Sequence, residues 1–407
     1  MRNKVLLGII ISGLIIKIAM LLILPSSSPE TWEYETIANN ILEGHGYQME
    51  RLGATHYSSV PPLYPFICAG IYALTNHSYL AVQLFQIILS CLVVLAIYII
   101  GKNVFNRKVG LLAAFLTTFH PGLMIYTIWK IHPLLLDSFL ILLVVLVFLK
   151  ACTKLSLWKA FLSGAIIGLT MLTRSTVGLF LPFGIAYLAL SQNVNKKKLL
   201  IFSCALLIST ALIIAPWIVR NYSIHKQIIF TTATGELLWR GNNIEASGSS
   251  YLVSGKTVTE TMPKDLAEKI YGKSELVQRD VFMKEAFGFI KKNPDQAIKL
   301  FVKKFYHYWW FSPQSGILYL KSWLSIYKIY YTIIIMLGGI GLYKAFCIHD
   351  PRVLQGVCLL LLMLLAISLA QSLFYVEGRH RWAIEPIILI FSANGIFSIG
   401  KYYLSRK

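Results

Sequence analysis

The chain is short of acid: 18 Asp and Glu stand against 38 Lys and Arg in 407 residues, and charged residues of both signs make up only 14% of it. So little charge, with 56% hydrophobic residues and a mean hydropathy of +0.64, excludes an ordinary soluble protein and implies a polytopic membrane chain. Cysteine is equally sparse. The six residues, Cys68, Cys91, Cys152, Cys204, Cys347 and Cys358, fall mostly inside or beside apolar runs and form no CxxC pair, which excludes a disulfide framework and a metal cluster. The net charge of +20 is explained by membrane topology and attraction to anionic headgroups, not by nucleic acid.

What the chain has in abundance is apolar sequence. Runs long enough to cross about 30 Å of hydrocarbon as helices lie at 5–24, 79–100, 109–128, 133–149, 157–173, 176–191, 198–217, 322–346, 353–374 and 382–400. They predict an all-α polytopic membrane protein of about ten transmembrane helices. Residues 1–219 form an N-terminal transmembrane module carrying a first extracytoplasmic loop at 25–78, residues 220–320 a small extracytoplasmic α or α/β domain, and residues 321–407 a C-terminal transmembrane module. Arg2 and Lys4 before the first run resemble a signal peptide, but Lys17 interrupts the run and no clean cleavage site follows, so it reads as a retained helix. With the N-terminus inside, the basic groups Lys102/Arg107/Lys108, Lys150/Lys154/Lys159, Lys196/Lys197/Lys198, Lys344/Arg352 and Lys401/Arg406/Lys407 all fall on the cytoplasmic side of a multi-pass cell membrane. The same topology puts the first loop, Arg174, residues 220–320 and the 376–381 turn on the outer face.

Five of the 18 acids, Glu30, Glu33, Glu35, Glu43 and Glu50, sit in the first loop, and the next is Asp137. Ser28 as N-cap and Pro29 at the first helical position predict a short amphipathic helix, with Tyr34, Ile37, Ala38, Ile41 and Leu42 recurring until Gly44 and Gly46 stop it. Glu30 then falls in the first turn, where the helix dipole keeps a carboxylate ionised, and the other four read as solvated residues. The prolines of PPLYP at 61–65 are rigid and shape a cavity wall. Asp137, one turn inside its span, needs a polar partner, with Lys130 and His132 near in sequence. Arg174 in a short outer turn is either a snorkelling cation or a phosphate contact.

Arg220 and Asn221 leave the seventh run, a strand-like stretch punctuated by Gly235 and Gly241 follows, and helices are expected near 263–292 and 294–311. The aromatic cluster Tyr306, His307, Tyr308, Trp309, Trp310 and Phe311 reads as an interfacial anchor, with sugar or lipid stacking as the second reading. In VEGRHR, Arg379 and Arg381 flank His380, and two planar donor forks on so short a connection suit a phosphate.

Taken together, PETWEYETIANNILEGHGY with PPLYP, GLTMLTRS, PWIVRNY, GELLWRGNN and EGRHRWAIEPIILI resemble the GT-C membrane glycosyltransferases, in particular the glycosyltransferase family 39-like branch of protein O-mannosyltransferases and lipid A aminoarabinose transferases. That resemblance implies a sugar carried on a polyprenyl phosphate and transferred at the outer face to a lipid, glycan or protein. It assigns the acceptor-activating carboxylate to Glu30, where the family has Asp followed by Glu and this chain has Glu followed by Thr31, and keeps Asp137 as a second acid. Arg379 and Arg381, supported by Arg174 and Arg220, would hold the lipid phosphate, and Tyr34 would lie against the substrate. Membrane lipids are the other expected partner, no cofactor is assigned, and a divalent metal is left open. A transporter or flippase of lipid-linked substrates is the rival class, though no internal repeat is legible.

Overall fold

A computed structural model of the chain describes residues 4–23, 29–151, 155–191, 195–252, 254–316 and 320–404. Arg2, Ser28, Cys152, Lys154, Arg406 and Lys407, invoked above, lie outside them. Helices build the fold, with one antiparallel hairpin, Met49–Arg51 against Ala54–His56, in the first loop.

Six helices among the described residues are long and apolar enough to cross a membrane: Lys4–Ile23, Tyr79–Val104, Leu134–Ala151, Lys196–His225, Lys321–Cys347 and Pro351–Ser372. A seventh span results if Arg107–Thr118 and Pro121–Ile128, bent by 51° at their junction, count as one. The bend has a local cause. Pro121 disfavours helix at His120, and the His120 ring accepts from the Leu123 N–H at 3.1 Å, starting a new helix in another direction. The run at 157–173 gives the shorter helix Leu157–Met171, and that at 176–191 gives a 3₁₀ turn, Ser175–Leu179, before Phe180–Ser191. The last run forms Glu385–Leu404. Length and composition therefore mark six or seven spans where ten were expected, because several runs divide or shorten. One further apolar helix, Leu63–Thr75, begins directly behind the prolines at 61 and 62.

Glycines let the longest helices approach closely. A side chain at Gly341 would strike the Phe391 carbonyl and one at Gly395 the Leu337 carbonyl, so Lys321–Cys347 and Glu385–Leu404 meet backbone to backbone. Gly164 does the same against Leu206, joining Leu157–Met171 to Lys196–His225.

The segment beyond residue 220 departs from expectation in three ways. The Lys196–His225 helix continues past Pro216, so Arg220 and Asn221 are still helical. The strand-like stretch is a helix, Thr234–Gly241, whose Glu236 and Arg240 pair one turn apart. Its glycines serve close packing, Gly235 against the Arg279 backbone and Gly241 against Phe374. The aromatic cluster turns inward: Tyr308 is fully buried, and Trp310 and Phe311 pack on Tyr331, leaving Tyr306 as the exposed member. The stretch expected near 263–292 is helical but divides into Lys264–Ile270 and Glu275–Lys292, and Pro294–Trp309 lies where the pattern put it.

Candidate active site

The first-loop helix runs Glu33–Leu42, starting later than the capping pattern suggested. Glu30 is drawn into extended backbone instead. Its N–H donates to the Trp129 carbonyl and its carbonyl accepts from Ile131 N–H, both at 2.9 Å. Its carboxylate accepts from Lys130 Nζ at 2.5 Å, so Lys130 serves Glu30 and not Asp137. Glu30 therefore gains nothing from the helix dipole; Glu33 and Glu35 occupy the first turn. Glu35 is buried near His77, correcting its reading as a solvated residue, and Glu33 faces a cavity. Left-handed Gly44 and Gly46 follow the helix as expected.

That cavity, about 360 Å³, lies between the first loop, the mouth of the bundle and the Thr234–Gly241 helix. Glu33, Asp137, Arg51, Arg174, Arg240 and Arg379 line it, together with Tyr34, His132, Tyr375, His380 and the backbone corner at Pro61. Asp137 enters from the first turn of Leu134–Ala151, with Arg174 Nη1 at 3.8 Å from its Oδ2. Its Oδ1 has no hydrogen-bond partner among the described residues. Arg174 also donates to the His380 carbonyl at 3.0 Å and Gln371 Oε1 at 3.3 Å, which holds the guanidinium against the cavity wall. Burial, then the surrounding cations, hold His132 and His380 well below the usual imidazole range, so both rings are neutral.

A second cavity of about 200 Å³ adjoins the first and is mainly apolar, with Ile125, Phe311, Trp323, Leu324, Ile326 and Tyr327 along it. Arg379 lines both. The guanidinium lies over the Trp32 ring at 5.2 Å and its Nε donates to Glu377 at 2.9 Å. Burial opposes its charge, but Glu377 and Tyr126 outweigh that and keep it firmly cationic.

The two arginines of VEGRHR have different fates. Arg381 is 1% exposed and lines neither cavity. It pairs with Glu385 at 2.6 Å, donates to the Tyr308 carbonyl at 2.9 Å and to the Tyr327 hydroxyl at 3.0 Å, and lies over the Tyr331 ring. Glu385 also meets His120 at 2.5 Å, so Arg381 belongs to a buried structural network rather than a phosphate site. Arg220 is likewise occupied. It donates to the carbonyls of Tyr57 and Tyr47 and stacks on Trp217, tying the first loop to its helix outside both cavities. Among the described residues no group of three or more His, Cys or carboxylate side chains could hold a metal ion.

Arg51, Arg240 and Trp32 had no place in the sequence-based expectations, His132 entered them only as a neighbour of Asp137, and Glu33, expected to be solvated, lines the cavity instead. Glu33 did carry a signal: it stands one turn before the buried Ile37 and so continues the inward face of its helix.

A family model described as dolichyl-phosphate-mannose-protein mannosyltransferase matches residues 59–219. The archaeal oligosaccharyltransferase AglB from Archaeoglobus fulgidus, in complex with an inhibitory peptide and a dolichol-phosphate, superposes on all of this chain with a TM-score of 0.59, at 14% identity over 51% of its own length. The apo form of the Archaeoglobus fulgidus oligosaccharyltransferase gives 0.57 at 13% identity, covering 100% of this chain and 52% of its own. ArnT from Cupriavidus metallidurans bound to undecaprenyl phosphate gives 0.47 at 11% identity, over 96% of this chain and 78% of that one. The chain thus spans about half the length of the oligosaccharyltransferase structures. No curated protein matches it by sequence.

Proposed function

From the family model matched over residues 59–219 and the fold shared with the oligosaccharyltransferase structures, we propose that this chain is a GT-C membrane glycosyltransferase that moves a sugar from a polyprenyl-phosphate carrier to an acceptor at the outer face of the cell membrane. The observation that carries the reading is the position of Arg379, at the junction of an apolar cavity and a polar one. A lipid-linked sugar is apolar, anionic and hydroxyl-rich in that order along its length. The tail suits the surface of Ile125, Leu324 and Ile326, the phosphate the guanidinium of Arg379, and the sugar the cavity of Asp137, Arg174 and Glu33. The basic short loops support the outward orientation.

The reaction is a single displacement. The acceptor hydroxyl oxygen attacks the anomeric carbon, the bond from that carbon to the phosphate oxygen breaks, and the hydroxyl proton passes to a carboxylate, so the sugar is inverted. Arg379 stabilises the charge that gathers on the departing phosphate. Around the cavity Glu236 is held by Arg51 and Arg240, Glu377 by Arg379 and Asp137 by Arg174, while Glu30 is tied to Lys130 outside it. Glu33 lines the cavity with no ion pair or hydrogen bond of its own among the described residues, which makes it the base. Asp137 orients sugar hydroxyls through its unoccupied oxygen.

The test is turnover by purified protein of a panel of polyprenyl-phosphate sugars, with the labelled product identified. No transfer from any donor to lipid, glycan or peptide acceptors would overturn the reading.

A further inference from the structure

The outer wall of the polar cavity carries a charge arrangement that sugar transfer alone does not use. Arg51, from the first-loop hairpin, grips Glu236 with two bonds, Nε to Oε2 at 2.9 Å and Nη2 to Oε1 at 2.7 Å. Arg240, one turn along the helix from Glu236, donates its own Nη2 to the same Oε1, which also receives the Thr259 hydroxyl at 3.4 Å. Two guanidiniums thus share one carboxylate, and both line the cavity. Arg240 Nε is buried without a partner, and Nη1 of each arginine carries no bond to a described residue. The next acid is Glu33, whose field reaches Arg51 but which is not paired with it. Burial opposes the charge of Glu236, yet the two arginines hold its carboxyl below the usual range. Thr231 and Thr234, whose hydroxyls bond each other at 2.9 Å, line the same cavity.

Resting on the transferase reading, we propose that Arg51 and Arg240 form a second anion subsite, separate from Arg379, that recognises an ionised substituent of the substrate, a carboxylate or a phosphate. The group is borne either by the transferred sugar, as in a uronic acid, or by the acceptor, as in a phosphorylated polyol. The charged donors that Glu236 leaves free favour a carboxylate or phosphate over a neutral hydroxyl. Thr231 and Thr234 complete the coordination of its remaining oxygens.

Equilibrium binding to the full chain in phosphatidylcholine nanodiscs tests this without needing turnover. One arm compares polyprenyl-phosphate glucuronate with polyprenyl-phosphate glucose, and the other compares glycerol 3-phosphate with glycerol. In one arm the anionic member should bind about tenfold or more tighter, the scale of a charge-assisted pair of bonds, and the arm that shows it identifies the bearer. Arg240→Gln and Arg51→Gln should each abolish the preference, and Arg240→Lys should restore part of it. Glu236→Gln should strengthen anion binding, because it releases both guanidiniums. Loss of the preference only on Arg379→Gln would place the anion at the donor phosphate and overturn the proposal, as would equal binding of both members in both arms. A wild-type preference without any transfer would instead retain the subsite and reject the transferase reading.

Discussion

Replacing Glu33 with Gln keeps the size of the side chain and removes its capacity to take a proton. Glu33 spends nothing on an ion pair among the described residues, so the substitution breaks no structural contact and expression and melting temperature should be unchanged. Loss of a general base costs roughly 10²–10⁴-fold in rate, or about 2.7–5.5 kcal/mol of transition-state stabilisation. The control is Glu30→Gln, which breaks the pair with Lys130. Because the Glu30 side chain is 48% exposed, that pair contributes at most about 1 kcal/mol and turnover should fall by less than about fivefold. The assay is single-turnover transfer from a labelled polyprenyl-phosphate sugar in nanodiscs, which separates chemistry from product release. A wild-type rate for Glu33→Gln, or a loss of about 10²-fold or more in Glu30→Gln, would refute Glu33 as the base.

Arg379→Ala should weaken donor binding by about 10–100-fold with the fold intact, whereas Arg381→Ala should lower stability by about 3–5 kcal/mol because it leaves Glu385 buried without its cation; equal melting temperatures for the two would contradict their separation. His56 is buried beside Glu275, Gln278 and Arg51, and burial, partly opposed by Glu275, holds its pKa below the free value. The unfolded chain therefore binds the extra proton, so this contribution is complete above about pH 6.5 and lost as pH falls below it; melting curves from pH 5 to 8 should show a slope that His56→Gln flattens. Reporter fusions at Lys197 and Ser250 should report opposite sides of the membrane, and the same side for both would remove the outward orientation.

Composition and apolar run length determined that this is a helical membrane chain, because the length needed to cross hydrocarbon and the cost of charge inside it act on each stretch alone. The stopping of the first-loop helix at Gly44 and Gly46 and the helices between 263 and 309 were legible for the same local reason. Partner choice was decided by the tertiary structure. Arg379 and Arg381 look equivalent in VEGRHR, yet two residues on a helix turn about 200°, so one faces the cavities and the other the buried Glu385. Glu30 matched the family position, but the strand-like bridge to residues 129–131 drew it onto Lys130 and moved the helix start to Glu33. Arg220 was legible as a cation and not as one already occupied by the carbonyls of Tyr47 and Tyr57. The joining of Arg51 to Glu236 across 185 residues follows from how a hairpin and a distant helix pack, which no local pattern encodes.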